Sequence, residues 1–410
     1  MTLKSFISQY RDLSQVGGFT PTLAHTQTMQ DFVANNAAKL DFLFEEPQDI
    51  FRLIGIMISR KDSISFRNLL DAGLDINLLS ASFETVFTTS ATSYLSDLDF
   101  VKIAVEVGAN FSLKTRDNKG FFELVFNNWP WHKLTPDVLD YIFALPQFNQ
   151  ELNQPQSDGR HLFHIAVAKG YMGIVVRILN LGYDVNTLYT YETLTKENIT
   201  QSALHLACEK LELNMFNLLL ERGADINAIN SKGSSVLNFI LQDTHYIKHT
   251  RSASQDIRIG MTDMAVLAGL DKTHITKAFY LMLGEEAYNL NGCRFCRDMA
   301  LRLLNHGADV MYATDNGNSA IHLSAKSGNI EVFKIALKSG ADINAKNNNG
   351  DSPLMLAARE CRDQIVMTLI RLGADTEATN LQGVALLDIL TKSGNAPMIE
   401  FMLTSQANLK

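Results

Sequence analysis

The most constraining feature of this sequence is a short motif that recurs at one fixed spacing. Gly307-Ala-Asp-Val, Gly340-Ala-Asp-Ile and Gly373-Ala-Asp-Thr follow one another at two successive intervals of 33 residues. A fixed period in the range of about 20–50 residues predicts stacked supersecondary units, each of which contacts only its neighbours. The chain has 410 residues, so this period leaves room for many units.

A second motif precedes the last two of these glycines. Ser-Ala-Ile-His322-Leu-Ser-Ala stands before Gly340, and Ser-Pro-Leu-Met355-Leu-Ala-Ala stands before Gly373. The same frame returns around His205 and His164. These residues resemble the T-P-L-H-x-A signature of the ankyrin repeat family. The resemblance implies an all-α ankyrin-repeat solenoid of about nine helix-turn-helix units with short hairpins and one helical insertion.

The local chemistry of the motifs agrees with such units. Ile330, Phe333 and Leu337 have the spacing of one apolar helical stripe. The glycine that follows each second helix can end it in the left-handed conformation. Asp342 and Asn344 can bond neighbouring backbone groups in the next turn. One unit cannot bury its apolar face alone, so stacking supplies the core.

The repeat frame divides the chain into five segments. They are an N-terminal helical cap (1–44), degenerate ankyrin repeats (45–156), clearer ankyrin repeats (157–242), a helical insertion within a repeat (243–293), and regular repeats with a C-terminal cap (294–410). Helical periodicity over Met29–Phe44 supports the cap, and the same pattern over Asp263–Leu270 and His274–Tyr288 predicts two helices in the insertion. Surplus residues between Val185 and Ile199 predict a lengthened hairpin.

Composition narrows the functional classes. The net charge of −8 disfavours non-specific binding to nucleic acid or an anionic membrane. The longest apolar runs fall far short of the roughly 18 residues that would span a bilayer, and the first residues lack the apolar core of a secretory signal. Four cysteines in the whole chain do not form a disulfide framework. These features predict a monomeric protein in a reducing cytosol.

One possible metal site lies at the ends of the predicted insertion. His245 and His249 have the i, i+4 spacing of one helical face, and Cys293 and Cys296 have the two-residue gap of a zinc knuckle. Two thiolates and two imidazoles suit tetrahedral zinc, which could hold the insertion together. The alternative is two surface histidines with one packed and one exposed thiol, in which case the chain needs no cofactor.

A cysteine nucleophile is a second hypothesis for the same segment. Cys293 or Cys296 could pair with a histidine, with an aspartate orienting the imidazole. The candidates for these two roles are His245, His249 and His274, and Asp263 and Asp271. The segment is too small for a protease domain and carries no flanking signature of a nucleophile. We therefore predict that the chain is not an enzyme.

Other polar motifs have a structural interpretation. His164, His205 and His322 stand at the fixed position where an ankyrin-repeat histidine bonds backbone between units. Cys208 follows such a motif and is expected in the core. Asn227 resembles the ankyrin asparagine that a eukaryotic hydroxylase modifies, although asparagine at this position also stabilises the turn.

The resemblance also implies where a partner would bind, because ankyrin arrays use hairpin tips and the ends of the first helices. The frame places Asp315, Asn316, Asn348 and Asn349 at hairpin tips. It places five cations at the ends of first helices: Lys169, Lys210, Lys326, Arg359 and Lys392. We expect these cations to form a groove for an acidic segment. The alternative is that they only complement the negative ends of the helix dipoles.

The expected function is that of a protein–protein interaction scaffold acting through this groove and the insertion. Uneven repeats and insertions resemble the ankyrin effectors that intracellular bacteria, Legionella among them, inject into host cells. That resemblance implies translocation into the host cytoplasm without a cleavable signal peptide, and binding of a host protein. An endogenous cytosolic adaptor and a cysteine-dependent hydrolase built on 243–293 are the two alternatives.

Overall fold

The computed structural model describes residues 2–15, 23–40, 47–78, 98–128, 136–241, 252–284 and 294–407. These residues are mostly helical, with one two-stranded sheet. The all-α class predicted from the sequence is confirmed in this coarse form. The chain separates into two compact units, Met1–Asp184 with Leu188–Thr200, and Val185–Thr187 with Gln201–Lys410. The five predicted segments do not coincide with these units, and their boundaries stay predictions.

The first unit contains ten described α-helices, a short 3-10 helix (Ala37–Lys39) and a two-stranded sheet. The last two residues of that sheet, Gln201 and Ser202, belong to the second unit. The helices are α1 (Leu3–Gln15), α2 (Leu23–Asn36), α3 (Pro47–Ser59), α4 (Ser63–Asp71), α5 (Leu98–Glu106), α6 (Phe121–Asn128), α7 (Pro136–Ala144), α8 (Pro146–Leu152), α9 (Leu162–Ala168) and α10 (Met172–Asn180). The strands are β1 (Leu188–Glu192) and β2 (Asn198–Ser202). They form the lengthened hairpin that the surplus residues predict.

The second unit contains twelve described helices. They are α11 (Ala203–Glu209), α12 (Leu213–Glu221), α13 (Val236–Leu241), α14 (Ser252–Leu267), α15 (Lys272–Met282), α16 (Arg294–Asn305), α17 (Ala320–Ser327), α18 (Ile330–Lys338), α19 (Pro353–Arg359), α20 (Asp363–Arg371), α21 (Leu386–Ser393) and α22 (Ala396–Ala407). Short hairpins, each with one β-bridge, precede α13, α17 and α21.

The pair α17 and α18 shows how the sequence forms one repeat. Ser319 and His322 cap the start of α17 reciprocally, and Gly328 ends it with a φ of 82°. Asn329 then caps α18 by accepting a hydrogen bond from the amide of Val332 at 3.2 Å. The buried side chains of α18 are Val332, Phe333 and Ala336; of the predicted stripe, Phe333 is buried and Ile330 and Leu337 are half-buried. Each turn is therefore fixed by one residue whose chemistry suits it.

In the first unit, the segment predicted as a cap packs through a buried polar contact. Helix α1 lies against α2 and α3. The Tyr10 hydroxyl donates to the Asp62 carboxylate at 2.7 Å, and Asp62 also caps α4 by accepting from the Ser65 amide at 3.1 Å. Burial raises the pKa of Tyr10 far above its ordinary value. A capping role for residues 1–44 stays a prediction.

One asparagine in each of several repeats joins its own turn to the next repeat. Asn186 donates to the Gly223 carbonyl at 3.1 Å and accepts from the Asp225 amide at 2.8 Å. Asn77 makes the same pair of bonds in the first unit, with Gly108 and Asn110. We call this arrangement, which recurs at Asn77, Asn186 and Asn227, the asparagine ladder; Asn344 makes one of its two bonds, accepting from the Asp375 amide at 2.9 Å.

The ladder identifies a repeat boundary inside the predicted insertion. Asn227 donates to the Gly269 carbonyl at 3.2 Å and accepts from the Asp271 amide at 2.8 Å. Gly269 has a φ of 91°, close to the 86° of Gly223. The turn at 269–271 therefore stands where the turn at 223–225 stands in the preceding repeat.

The segment 243–293, expected as an insertion within one repeat, accordingly divides between two helix pairs. Helix α14 pairs with α13 and packs on α12, whereas α15 pairs with α16 and packs on α13. The two helices begin and end earlier than the periodicity predicted. Since Asp271 is followed at once by α15, the hairpin that precedes other first helices is missing here. The contacts favour two modified repeats over a single interrupted one, and the count of about nine stays a prediction.

A buried tyrosine makes contacts with the following repeat that replace some of those of the missing hairpin. Tyr280 of α15 is fully buried, and its hydroxyl lies 3.1 Å from the Val310 carbonyl and 3.1 Å from the Ala320 amide at the start of α17. The ring also meets that of Tyr312 edge-on at 5.3 Å. One side chain thus ties α15 to the following hairpin and helix.

The ladder assignment predicts a specific loss of stability. Replacing Asn227 with alanine removes both bonds to the 269–271 turn, and we expect the free energy of unfolding to fall by about 1–3 kcal/mol. Urea denaturation followed by circular dichroism measures the change. The control is Asn217→Ala, which removes one exposed hydrogen bond within α12. Equal stability of the two variants would contradict the assigned boundary.

Candidate partner-binding surface

The cations predicted at the ends of first helices fall in both units. In the second unit, α17, α19 and α21 pack in succession and carry Lys326, Arg359 and Lys392 in their last turns. Lys210 ends α11, and its ammonium lies 3.6 Å from Glu209. Lys169 is exposed at the end of α9 in the first unit. Three of the five predicted cations therefore lie on consecutive stacked helices.

Arg359 has an internal role. Its guanidinium is bidentate to the Asp351 carboxylate, with Nη2 2.7 Å from Oδ1. The Asp351 side chain is only 3% exposed, and it also accepts a hydrogen bond from the side-chain Nδ2 of Asn380 at 2.9 Å. Since a buried carboxylate needs such partners, Arg359 is committed to the repeat itself and is a poor choice for a partner-binding residue.

Arg362 was not expected from the sequence and lies close to Lys326. Its Nε donates to the Lys326 carbonyl at 3.1 Å, and its side chain lies across Gly328. Lys392 is exposed and Lys326 is half-buried. We call Lys326, Arg362 and Lys392 the basic row. The repeat frame directs attention to the helix end at Arg359, whereas Arg362 stands three residues further on. That position just after α19 is the only sequence signal for Arg362.

The predicted hairpin-tip residues form a second surface. Asp315, Asn316, Asn348 and Asn349 are all exposed. The Asn348 amide donates to the Asn316 carbonyl at 3.1 Å, and its side chain donates to the Asp315 carbonyl at 2.8 Å. A Cβ on Gly317 would lie 2.4 Å from the Asn348 side chain, so glycine is required there. Asn348 therefore holds adjacent tips in register.

The repeat histidines of the second unit make the backbone contacts that the family resemblance implies. His205 Nε2 lies 3.3 Å from the Ser234 carbonyl, and Nδ1 lies 2.8 Å from the Ser202 hydroxyl. His322 makes the equivalent contacts with Ala345 and Ser319 at 3.0 Å each. Because a carbonyl only accepts, Nε2 carries the proton and the ring is neutral. Burial lowers the pKa of both imidazoles, and that of His205 reaches about 4.

Glu123 is a buried residue that the sequence interpretation missed. It stands in the first unit at the repeat-histidine position, following Gly120-Phe-Phe. Its carboxylate accepts from the Ser157 amide at 3.0 Å and from the Ser157 hydroxyl. Glu123 thus bonds the next turn by accepting from an amide, where the repeat histidines donate to a carbonyl, and its place in the frame was the available signal.

The candidate zinc and nucleophile residues fall mostly outside the described chain. This applies to His245, His249 and Cys293. Cys296 is described and is buried in α16. Among the residues that the structure describes, no cluster of three or more metal-binding side chains occurs. The zinc site stays a prediction.

Of the two proposed orienting aspartates, Asp263 has its carboxylate engaged elsewhere. Asp263 of α14 accepts from Arg302 of α16 at 2.7 Å and lies 3.1 Å from Nε2 of His306, the residue that follows α16. The Asp271 amide belongs to the asparagine ladder, and His274 lies in the first turn of α15. Burial lowers the pKa of His274. These contacts lend no support to a cysteine–histidine–aspartate arrangement.

Comparison with known proteins agrees with this geometry. A protein-family model described as ankyrin repeats matches residues 134–230 and 291–380, in three copies. These two ranges of the chain are therefore similar to ankyrin repeats. The matched ranges stop before α13 and resume at α16, so they omit the region where the hairpin is missing. No curated protein is significantly similar to the chain. No helix in the described ranges is long and apolar enough to cross a membrane.

The ion pair inside the ankyrin stack gives a second stability prediction. Arg359→Ala leaves the buried Asp351 carboxylate with one fewer charged partner, and we expect a loss of about 2–3 kcal/mol in the free energy of unfolding. Lys392→Ala, at the equivalent helix end but exposed, is the control and should change stability by less than about 0.5 kcal/mol. Urea denaturation measures both variants. A stability of Arg359→Ala equal to that of the control would refute the internal role.

The buried histidines predict instability in acid. The folded-state pKa of His205 is about 4, against 6.5 ordinarily, so the unfolded chain binds a proton in this interval and the folded chain does not. The free energy of unfolding therefore falls as the pH drops from 6.5 towards 4. His205→Gln should reduce this slope by up to about 1.4 kcal/mol per pH unit. Urea titrations at several pH values test it, and parallel curves for the two proteins would disprove it.

Proposed function

We propose that this chain is a protein–protein interaction scaffold whose second unit holds an acidic segment of a partner against the basic row and the neighbouring hairpin tips. Ankyrin repeats are generally protein-interaction modules, and proteins built from them are typically non-enzymatic scaffolds. The observation that carries the proposal is the succession α17, α19 and α21, which repeats one surface position on rigid, stacked helices. Such a surface is preorganised, so little order has to be gained on binding.

Charge specifies the class of partner. The whole chain has a net charge of −8, yet the basic row carries three cations. Glu360 is an exposed carboxylate in the same region, so the surface around the row is only mildly basic. Such a surface selects acidic segments without attracting polyanions strongly. Such complementarity acts mainly on association rate and specificity. Arg359 does not contribute because Asp351 neutralises it.

The biological setting that we propose is that of a bacterial effector engaging a host protein in the host cytoplasm. Uneven repeats, modified around α14 and α15, support this setting by their likeness to injected ankyrin effectors. A cytosolic adaptor would use the same surface in its own cell. No described contact favours the hydrolase alternative, since Cys296 is buried and Asp263 is paired with Arg302 and His306.

The binding proposal is tested by reversing charge on the basic row. Tagged protein first captures partners from a host-cell lysate, and the captured protein is purified for measurement of the dissociation constant. Lys326→Glu with Lys392→Glu should weaken this binding at least tenfold, or about 1.4 kcal/mol. Glu360→Lys should strengthen it. Both effects should shrink at high salt.

A matched control separates the row from overall charge. Lys334 and Lys338 are exposed on the second helix α18, so Lys334→Glu with Lys338→Glu makes the same change in charge elsewhere. Binding by this control should stay close to wild type. Equal weakening of the two double variants, or no weakening of either, would count against the basic row.

A further inference from the structure

The lengthened hairpin of the first unit presents one leucine to solvent. We call residues 188–200 the finger; β1 and the beginning of β2 form its two sides. Leu194 lies in the turn and is 106% exposed, the largest value among the exposed apolar side chains of the described residues. A leucine so placed contributes nothing to the packing of its own repeat.

The turn that carries Leu194 is held firmly. The Thr193 amide donates to the Glu197 carbonyl at 2.9 Å, and the Lys196 amide donates back to the Thr193 carbonyl at 2.9 Å. The Thr193 hydroxyl accepts from the Glu197 amide at 3.1 Å. Lys196 has a φ of 62°, a conformation that non-glycine residues seldom adopt. The backbone beside Leu194 is therefore fixed before any partner arrives.

The base of the finger is seated against the preceding repeat. Tyr189 is buried, and its ring lies 4.5 Å from that of His164 in α9. A Cβ on Gly159 would lie 1.9 Å from the Thr190 carbonyl oxygen, so the hairpin tip at Gly159 packs directly on β1. The hydroxyls of Thr190 and Thr200 join the two strands at 2.7 Å. The finger is anchored at its base and ordered at its turn.

We infer that Leu194 is an anchor residue that enters an apolar pocket of a protein partner. Burying a rigidly held apolar side chain costs little conformational entropy, because its backbone is already ordered before it binds. Glu192 and Glu197 flank it with Lys196, which gives the finger a net charge of −1. The pocket therefore has a cationic rim. Anionic lipid is disfavoured by the same two carboxylates.

The inference rests on the proposed scaffold function and adds a second contact site to it, in the other unit. The basic row takes an acidic segment, whereas the finger offers an apolar residue with carboxylates beside it. One partner would need both features, or two partners would each need one. Variants at the two sites can therefore fail independently.

The experiment uses the full chain and begins with contact mapping. A photo-crosslinking phenylalanine analogue replaces Leu194 in one protein and Leu267 in another; Leu267 is 87% exposed at the end of α14 and serves as the matched control. The probe is the purified partner captured by the wild-type chain. We expect crosslinking from position 194 and none from position 267. Equal crosslinking from both positions, or none from 194, overturns the inference.

Affinity measurements then test the energetic role. Leu194→Ala should weaken binding of the purified partner at least tenfold and Leu194→Asp further, whereas Leu267→Asp should change it less than twofold. Urea denaturation should show unchanged stability, since Leu194 makes no packing contact. Wild-type affinity of Leu194→Asp, with binding still lost in the Lys326 and Lys392 charge-reversal variant, overturns the finger and leaves the basic row standing. Failure of the wild-type chain to capture any partner overturns both proposals.

Two other occupants would give different results. Sedimentation of the chain alone would show concentration-dependent dimers, abolished by Leu194→Asp, if the finger entered a second copy. Vesicles of anionic phospholipid would bind wild type and release the variant if the finger inserted in lipid. Either outcome replaces the proposed partner pocket and overturns the inference.

Discussion

The hydrogen bonds of the asparagine ladder are the interaction on which the repeat stack depends. Asn186 and Asn227 each bond a glycine carbonyl and an acidic-residue amide in the turn that ends the following repeat. Apolar contact between helices tolerates sliding, because dispersion has no direction. The pair of hydrogen bonds made by one asparagine side chain does not tolerate sliding. It sets the register of the repeats that it joins, and the bond from the Asp375 amide to Asn344 does so for the repeats whose first helices are α17 and α19.

The same need to satisfy buried polar groups limits which residues are available to a partner. Asp351 and Glu123 are buried carboxylates in different units, and each takes its partners from neighbouring turns. The sequence predicts Arg359 and Asn348 as partner-binding residues, but their side chains make hydrogen bonds within the protein, Arg359 to Asp351 and Asn348 to the Asp315 carbonyl. What remains for recognition are side chains such as Lys392 and Leu194, which carry no share of the fold. Binding specificity in this protein can therefore change with little effect on stability.

The sequence was sufficient for the repeat class, because its signals are local. Glycine at a helix end, histidine beside a helix start and an apolar stripe each act within a few residues, and Gly340, His322 and Phe333 behave as predicted. The boundary at Gly269 was missed because Gly269 stands 46 residues after Gly223 and is therefore out of the 33-residue period. Gly269-Leu-Asp nevertheless has the residues of Gly73-Leu-Asp. The role of Arg359 depends on a contact with the buried Asp351 of its own repeat, and that of Arg362 on a contact with the preceding repeat; spacing alone specifies neither.

The missing hairpin before α15 has a consequence for how the second unit comes apart. Repeat stacks are coupled only between neighbours, so opening begins at the weakest interface. At this interface the hairpin-to-hairpin bonds are replaced by the hydroxyl of Tyr280. Helices α17 to α22 would then exchange their amide hydrogens as one cooperative block and helices α11 to α14 as another. Under mechanical load, the hydroxyl groups of Tyr280 and Thr276 would resist the separation of these blocks, because both bond the segment that precedes α17.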